Sequence, residues 1–156
     1  MARLSEKFHA CLHELSGRYP ARRALLLPAL HMAQKEIGWL PPDVIGEIAA
    51  ALEIHPAKVV ETASFYTMFN LGPVGRHDVR VCTNVSCSLR GAERILEHCE
   101  RKLGISAGET TADGRITLHD EECLGACGTA PAMSVDGKYH ENLDLLEVDR
   151  ILEGLH

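Results

Sequence analysis

The hydrophobic pattern of this 156-residue chain changes its period near residue 75, and this change limits the folds open to the chain. Before residue 75, apolar side chains recur at helical spacing, first at Phe8, Cys11, Leu12 and Leu15. After it, residues 77–82 alternate polar and apolar side chains, as a half-buried β-strand does. We therefore predict an α+β protein with a helical N-terminal domain at residues 1–74 and a second domain at residues 75–156.

Proline and glycine residues divide the first domain into four predicted helices. A break at Tyr19-Pro20 separates the first helix from a second helix at residues 25–37, which Gly38 can close in a left-handed conformation. Pro42 and Pro56 suit the first turns of the third and fourth helices, because proline fixes a helical φ there. We predict that the fourth helix spans residues 57–69 and turns these apolar side chains mainly toward a core: Val59, Val60, Ala63, Phe65, Tyr66 and Phe69.

The second domain has the predicted order β, α, β, β, α. A helix at residues 91–103 places Cys99 on its apolar face, so we expect Cys99 to be a core thiol rather than a ligand. Residues 115–119 form a second predicted strand, and Asp136-Gly137 predicts a tight hairpin between two more. This order indicates an α/β domain with a mixed sheet, compatible with a thioredoxin-like fold.

Four cysteines follow predicted strands in two pairs. Cys82 and Cys87 form a C-x4-C pair after the first strand, and Cys123 and Cys127 form a C-x3-C pair after the second. Loops at neighbouring strand ends can converge, and four thiolates suit either a zinc ion or an iron-sulfur cluster. We therefore predict one metal centre on these four residues.

The residues favour iron over zinc but leave both open. A C-x4-C spacing occurs in plant-type 2Fe-2S proteins, whereas zinc ribbons commonly use C-x2-C. Small residues around the pairs leave backbone N–H groups free to donate to sulfur; they are Thr83, Ser86, Ser88, Gly125, Ala126 and Gly128. We assign His119 no ligand role. We expect Asp120-Glu121-Glu122 to form a solvated turn, and the alternative is that its negative charge lowers the reduction potential of a cluster.

Composition excludes several other classes of function. The net charge is −6, and residues 104–156 hold 3 basic and 11 acidic side chains, which argues against a nucleic-acid partner. No apolar run approaches the roughly 18 residues of a membrane span, and no G-x-G-x-x-G loop marks a dinucleotide site. The N-terminus lacks a secretory h-region, so we expect a bacterial cytoplasm, where thiols or metal ligands are favoured over disulfides.

The cysteine motifs resemble one known family. Cys82 begins C-T-x-x-x-C, Glu122 begins E-C-L-G-A-C-x-x-A-P, and the match continues along most of the chain in Tyr19-Pro20, Gly38-Trp39-Leu40-Pro41, Ala63-Ser64-Phe65-Tyr66 and Gly108-Glu109-Thr110-Thr111. This pattern resembles the small 2Fe-2S subunit of NADH:quinone oxidoreductase, the bacterial E subunit of respiratory complex I. Related modules occur in NAD-linked formate dehydrogenases and hydrogenases.

The resemblance implies a fold, a cofactor and a partner. It implies a thioredoxin-like domain with one 2Fe-2S cluster on Cys82, Cys87, Cys123 and Cys127. The implied partner is the F subunit, which holds FMN, a 4Fe-4S cluster and the NADH site, and whose reduced flavin gives the cluster an electron. The chain is then an electron-transfer subunit without catalytic residues or an NADH site of its own. It reaches the inner membrane only through the complex. A zinc-stabilised scaffold module remains the alternative from a different class.

Overall fold

The computed structural model describes residues 3–156, which divide into two compact units between Pro73 and Val74. That residues 1–74 and 75–156 are independent domains stays a prediction. Over the described residues, the helices and strands are α1 (Glu6–Ser16), α2 (Leu26–Ile37), α3 (Pro42–Leu52), α4 (Pro56–Phe65), β1 (His77–Cys82), α5 (Val85–Leu89), α6 (Ala92–Leu103), β2 (Ile116–Glu121), β3 (Met133–Val135), β4 (Lys138–His140) and α7 (Leu145–Glu153). No described helix has the length and apolar character needed to cross a membrane.

The first unit is a helical bundle whose helix ends follow local sequence signals. Ser5 caps α1 by accepting a hydrogen bond from the Phe8 N–H, and Gly38 ends α2 at a φ of 93°. Pro42 and Pro56 occupy first turns, as predicted. The helices enclose a core that includes Leu12, Leu30, Leu40, Val44, Ile48, Leu52 and Val59.

The fourth helix ends earlier than predicted. It stops at Phe65, because the chain turns to an extended conformation at Tyr66. The Gln34 side chain holds the following segment: it donates to the Met68 carbonyl at 2.8 Å and accepts from the Asn70 N–H at 2.7 Å. These tertiary hydrogen bonds replace helical ones, so the prediction of a helix through residue 69 is wrong.

Within α4, two side chains predicted to face the core point to solvent instead. Phe69 is buried and Tyr66 is partly buried, as expected, but Phe65 is 77% exposed and Val60 is 43% exposed. The prediction that these two side chains belong mainly to the core is therefore wrong.

The second unit contains a mixed four-stranded sheet in the order β2-β1-β3-β4. Strand β1 runs parallel to β2 and antiparallel to β3, and β3 and β4 form the hairpin predicted at Asp136-Gly137. Helices α5 and α6 lie in the connection between β1 and β2, as a parallel pair requires. The predicted mixed sheet is confirmed.

The two faces of this sheet differ in polarity. One face packs against α6 and α7 in a single apolar core of Val79, Val81, Ile95, Cys99, Leu118, Met133, Val148 and Leu152. The opposite face carries the polar residues Asp78, Arg80, Thr117, His119 and Ser134, because side chains alternate along a strand. The sheet is therefore apolar toward its helices and polar on its other side.

Two local features differ from the sequence expectations. The loop between Cys82 and Cys87 contains the short helix α5, which the sequence pattern did not predict. Strand β2 continues through Glu121, so Asp120 and Glu121 belong to a strand and not to a solvated turn. Glu121 is buried there, whereas Glu122 is exposed, as the turn interpretation required.

Candidate metal centre

Because β1 and β2 are parallel, the two cysteine loops begin at the same end of the sheet, at the carboxyl ends of these strands. Cys82 is the last residue of β1, and its partner in the register is Glu121, the last residue of β2. Beyond this point the Thr83 N–H donates to the Glu121 carbonyl at 2.9 Å, which joins the start of the first loop to the start of the second. Cys87 follows on α5, while Cys123 and Cys127 follow β2.

The Cys87 thiol is influenced by two of the other three thiols, those of Cys82 and Cys127. Cys82 and Cys87 are both buried in the same small apolar cluster. Burial raises the pKa of the Cys87 thiol above its ordinary value, and the Cys82 hydrogen bond and the charges of Cys82 and Cys127 raise it further. The backbone of Ala132 opposes this shift by hydrogen bonding. A bound metal, which stabilises thiolates, would reverse the shift.

The second pair is exposed. Cys123 and Cys127 both lie at the surface, and the Gly125 N–H donates to the Cys123 sulfur at 3.3 Å. Gly125 has a φ of 75°, a left-handed conformation that glycine adopts without strain. In the part of the chain that the structure describes, no three or more His, Cys, Asp or Glu side chains are already arranged to hold a metal ion.

The surroundings of the thiols fit an iron-sulfur cluster. Cys82 and Cys87 pack in a small apolar group with Ala92, Ala130 and Ala132, beside the partly buried Leu124 and Ala126. The side chains around these thiols are small and apolar, and the Gly125 N–H shows the N–H to sulfur contact expected beside a cluster. Four thiols in two pairs also match the two cysteines that each iron of a 2Fe-2S cluster takes.

The other cysteines and His119 have different surroundings. Cys99 is fully buried in the core of the second unit, as predicted, and Cys11 lies half-buried in the helical bundle. His119 packs on β2 with its Nε2 atom 3.6 Å from Asp78 Oδ1, and burial lowers its pKa. The prediction that His119 packs on the strand is confirmed.

One buried ion pair beside the centre was missed by the sequence reasoning. Arg80 donates to Glu121 through Nη1 at 2.9 Å, and both side chains are largely buried. A signal was available, because Arg80 lies two residues before Cys82 and strand alternation places the two on the same face. Its partner could not be read from the sequence, since it comes from a different strand.

Comparison with known proteins places this geometry in a family. The sequence model described as thioredoxin-like 2Fe-2S ferredoxin matches residues 12–156. The second E subunit of NADH-quinone oxidoreductase from Rhizobium meliloti (strain 1021) is 50% identical over 138 residues, which cover 88% of this chain and 82% of the relative. The E subunit of the same enzyme from Rickettsia prowazekii (strain Madrid E) is 41% identical over 139 residues, with 87% and 78% covered.

A solved structure has a fold similar to that of this chain. NAD+-reducing NiFe-hydrogenase in the air-oxidized state matches with a TM-score of 0.74 and 28% identity, over 84% of this chain and 22% of the hydrogenase chain. The predicted α+β class and thioredoxin-like fold are therefore confirmed. With a family match over nearly its full length and relatives at 41–50% identity, this chain belongs to the thioredoxin-like 2Fe-2S ferredoxin family.

Proposed function

We propose that this chain is the electron-transfer subunit of an NADH-quinone oxidoreductase and that Cys82, Cys87, Cys123 and Cys127 hold its one 2Fe-2S cluster. When bound, the cluster would supply one-electron chemistry, with FMN on a partner F subunit as its electron donor. That partner also carries the NADH site and a 4Fe-4S cluster. The chain lies in a bacterial cytoplasm and reaches the inner membrane only through the complex.

One observation carries the proposal. The ends of the parallel strands β1 and β2 place both cysteine pairs at one edge of the sheet, with Thr83 and Glu121 tying the two loops together. The relatives are named as E subunits of NADH-quinone oxidoreductase, which supports this assignment of the parent enzyme. In this assembly the chain positions the cluster and shields two of its ligands from water, and the chemistry of NADH belongs to the partner.

The cofactor assignment is tested by metal analysis of the anaerobically purified chain. We expect two irons, two sulfides and no stoichiometric zinc, with an EPR signal from the dithionite-reduced protein. Cys87→Ala should abolish the signal, whereas Cys99→Ala should keep it. One zinc per chain without iron would instead establish the zinc-stabilised scaffold.

The partner assignment is supported by the exposed apolar surface of the helix that carries Cys87. Helix α5, which carries Cys87, exposes Leu89 by 83% and Val85 by 66%. Apolar side chains at this level of exposure are typical of a contact surface, and electron transfer requires the donor to approach the cluster edge.

The partner is tested with a matched pair of substitutions. Leu89→Asp should reduce co-purification with an FMN-containing protein and slow reduction of the cluster by NADH, with its EPR signal unchanged. Tyr139→Asp is the control, since Tyr139 is also exposed but lies on β4, two strands away from β1. Equal loss of the flavoprotein in both variants would argue against this surface.

The hydrogenase neighbour favours a second candidate parent enzyme. This chain's fold is also found within an NAD+-reducing NiFe-hydrogenase, so the same electron-transfer role in such an enzyme is the alternative. Mass spectrometry of the co-purified proteins distinguishes the two parent enzymes, because a hydrogenase subunit among them would identify the hydrogenase.

A further inference from the structure

A buried ion pair occupies the polar face of the sheet directly below the cysteine loops. Arg80 donates to Glu121 Oε2 through Nη1 at 2.9 Å, and to Asp78 Oδ2 through Nε at 3.0 Å and Nη2 at 2.9 Å. The side chains of Arg80 and Glu121 are only 12% and 10% exposed. Their charges are therefore poorly screened by solvent.

Glu121 is connected to both ligand loops. Its carbonyl accepts hydrogen bonds from the Thr83 N–H at 2.9 Å and the Thr83 hydroxyl at 3.3 Å, one residue after the ligand Cys82. In the other direction, Glu121 lies two residues before the ligand Cys123. A shift of this residue would therefore move one ligand of each pair.

The charge of Arg80 acts at short range on the same centre. Arg80 and Cys82 share a face of β1 and are separated by roughly 7 Å along the strand, at about 3.3 Å per residue. A cluster on four thiolates is anionic and gains one more negative charge on reduction. A buried guanidinium near it favours the reduced form, and a buried carboxylate without that partner disfavours it.

We propose that Arg80 is a positioning residue that raises the reduction potential of the cluster, by neutralising Glu121 and holding it between the two ligand loops. This inference rests on the proposed function, because it assumes that the four cysteines hold a redox cluster. It assigns a role to a residue outside the ligand set.

The test is an EPR-monitored redox titration of the full chain, with iron and sulfide measured for every variant. Arg80→Gln should lower the ratio of reduced to oxidised cluster at a fixed potential by about tenfold, which corresponds to a midpoint about 59 mV lower for a one-electron couple. Arg80→Lys keeps the charge and should recover most of the shift. Arg150→Gln is the matched control, since Arg150 is 74% exposed and pairs with the exposed Glu147 on the surface of α7.

Removal of the acidic partner gives an independent measurement. Glu121→Gln retains Arg80 and removes the negative charge, so the midpoint should rise. If Arg80→Gln fails to fold or to bind iron, the Arg80→Lys and Glu121→Gln variants decide the question. A fully loaded Arg80→Gln with the wild-type midpoint, or a Glu121→Gln midpoint that is unchanged or lower, would overturn the inference. A wild-type chain without iron would overturn the proposed function itself.

Discussion

Gly75 lies against the backbone of the second strand, and its replacement by alanine tests this packing directly. A Cβ atom at Gly75 would lie 3.0 Å from three backbone atoms, the carbonyl carbon and oxygen of Arg115 and the carbonyl carbon of Ile116. Backbone atoms cannot rotate away as the end of a side chain can. The Gly75 N–H also donates to the Thr117 hydroxyl at 2.6 Å, so a displacement of the chain would strain this bond.

We expect Gly75→Ala to destabilise the protein by about 1–3 kcal/mol, the usual cost of forcing an extra carbon into a packed site. With a urea m-value of about 2 kcal/mol/M, the unfolding midpoint should fall by roughly 0.5–1.5 M. Far-UV circular dichroism and hydrogen exchange of the β2 amides can follow the transition, and exchange assigns the loss to the second unit.

Gly72→Ala is the control for this prediction. A Cβ at Gly72 meets nothing within 4 Å, and its φ lies outside the left-handed region. Alanine there should be neutral or stabilising by up to about 1 kcal/mol, because it restricts the unfolded chain. Equal urea midpoints for Gly72→Ala and Gly75→Ala would refute the packing argument.

Two further predictions follow from the pKa shifts. Burial raises the pKa of Cys99 to about 12, and the charge of Asp149 adds to the shift. Cys99 should therefore resist iodoacetamide at about pH 8, while the half-buried Cys11 reacts. Equal labelling rates of the two cysteines, measured by mass spectrometry, would contradict this prediction. The hydrogen bond to Asp136 raises the pKa of His77, and a hydrogen bond to the His156 carbonyl adds to the shift. Protonated His77 therefore stabilises the folded state fully below the unfolded pKa of 6.5, and this stabilisation is lost as the pH rises through the higher native pKa. The stability difference between wild type and His77→Gln should therefore be larger at about pH 6 than at about pH 9 in urea titrations, and no change with pH would disprove this assignment.

Local signals explain why much of the fold was predictable. Pro42 and Gly38 act within one turn of their own positions, and the Asp136-Gly137 hairpin depends on two residues. The residue identities and loop positions of the cysteine pairs are likewise local. Cys99 was correctly placed in the core because helical spacing alone puts it on the apolar face of α6.

The errors occurred where distant contacts override a local pattern. The apolar helical period continues to Phe69, but the helix ends at Phe65, and the Gln34 side chain instead makes hydrogen bonds with the backbone of Met68 and Asn70. The need for glycine at position 75 likewise comes from a distant contact, because a Cβ there would meet the backbone of Arg115 and Ile116.

The sequence by itself determined the change from a helical half to a mixed sheet and the placement of the four cysteines at or after the ends of two strands. Both features depend on the periodicity and spacing of neighbouring residues. Only the tertiary structure decided which strands are neighbours and in what register. That register pairs Cys82 with Glu121 and brings Arg80 to the Glu121 carboxylate. Glu121, expected in a solvated turn, therefore forms a buried ion pair with Arg80 beside the candidate metal centre, because burial and charge pairing depend on residues 41 positions apart.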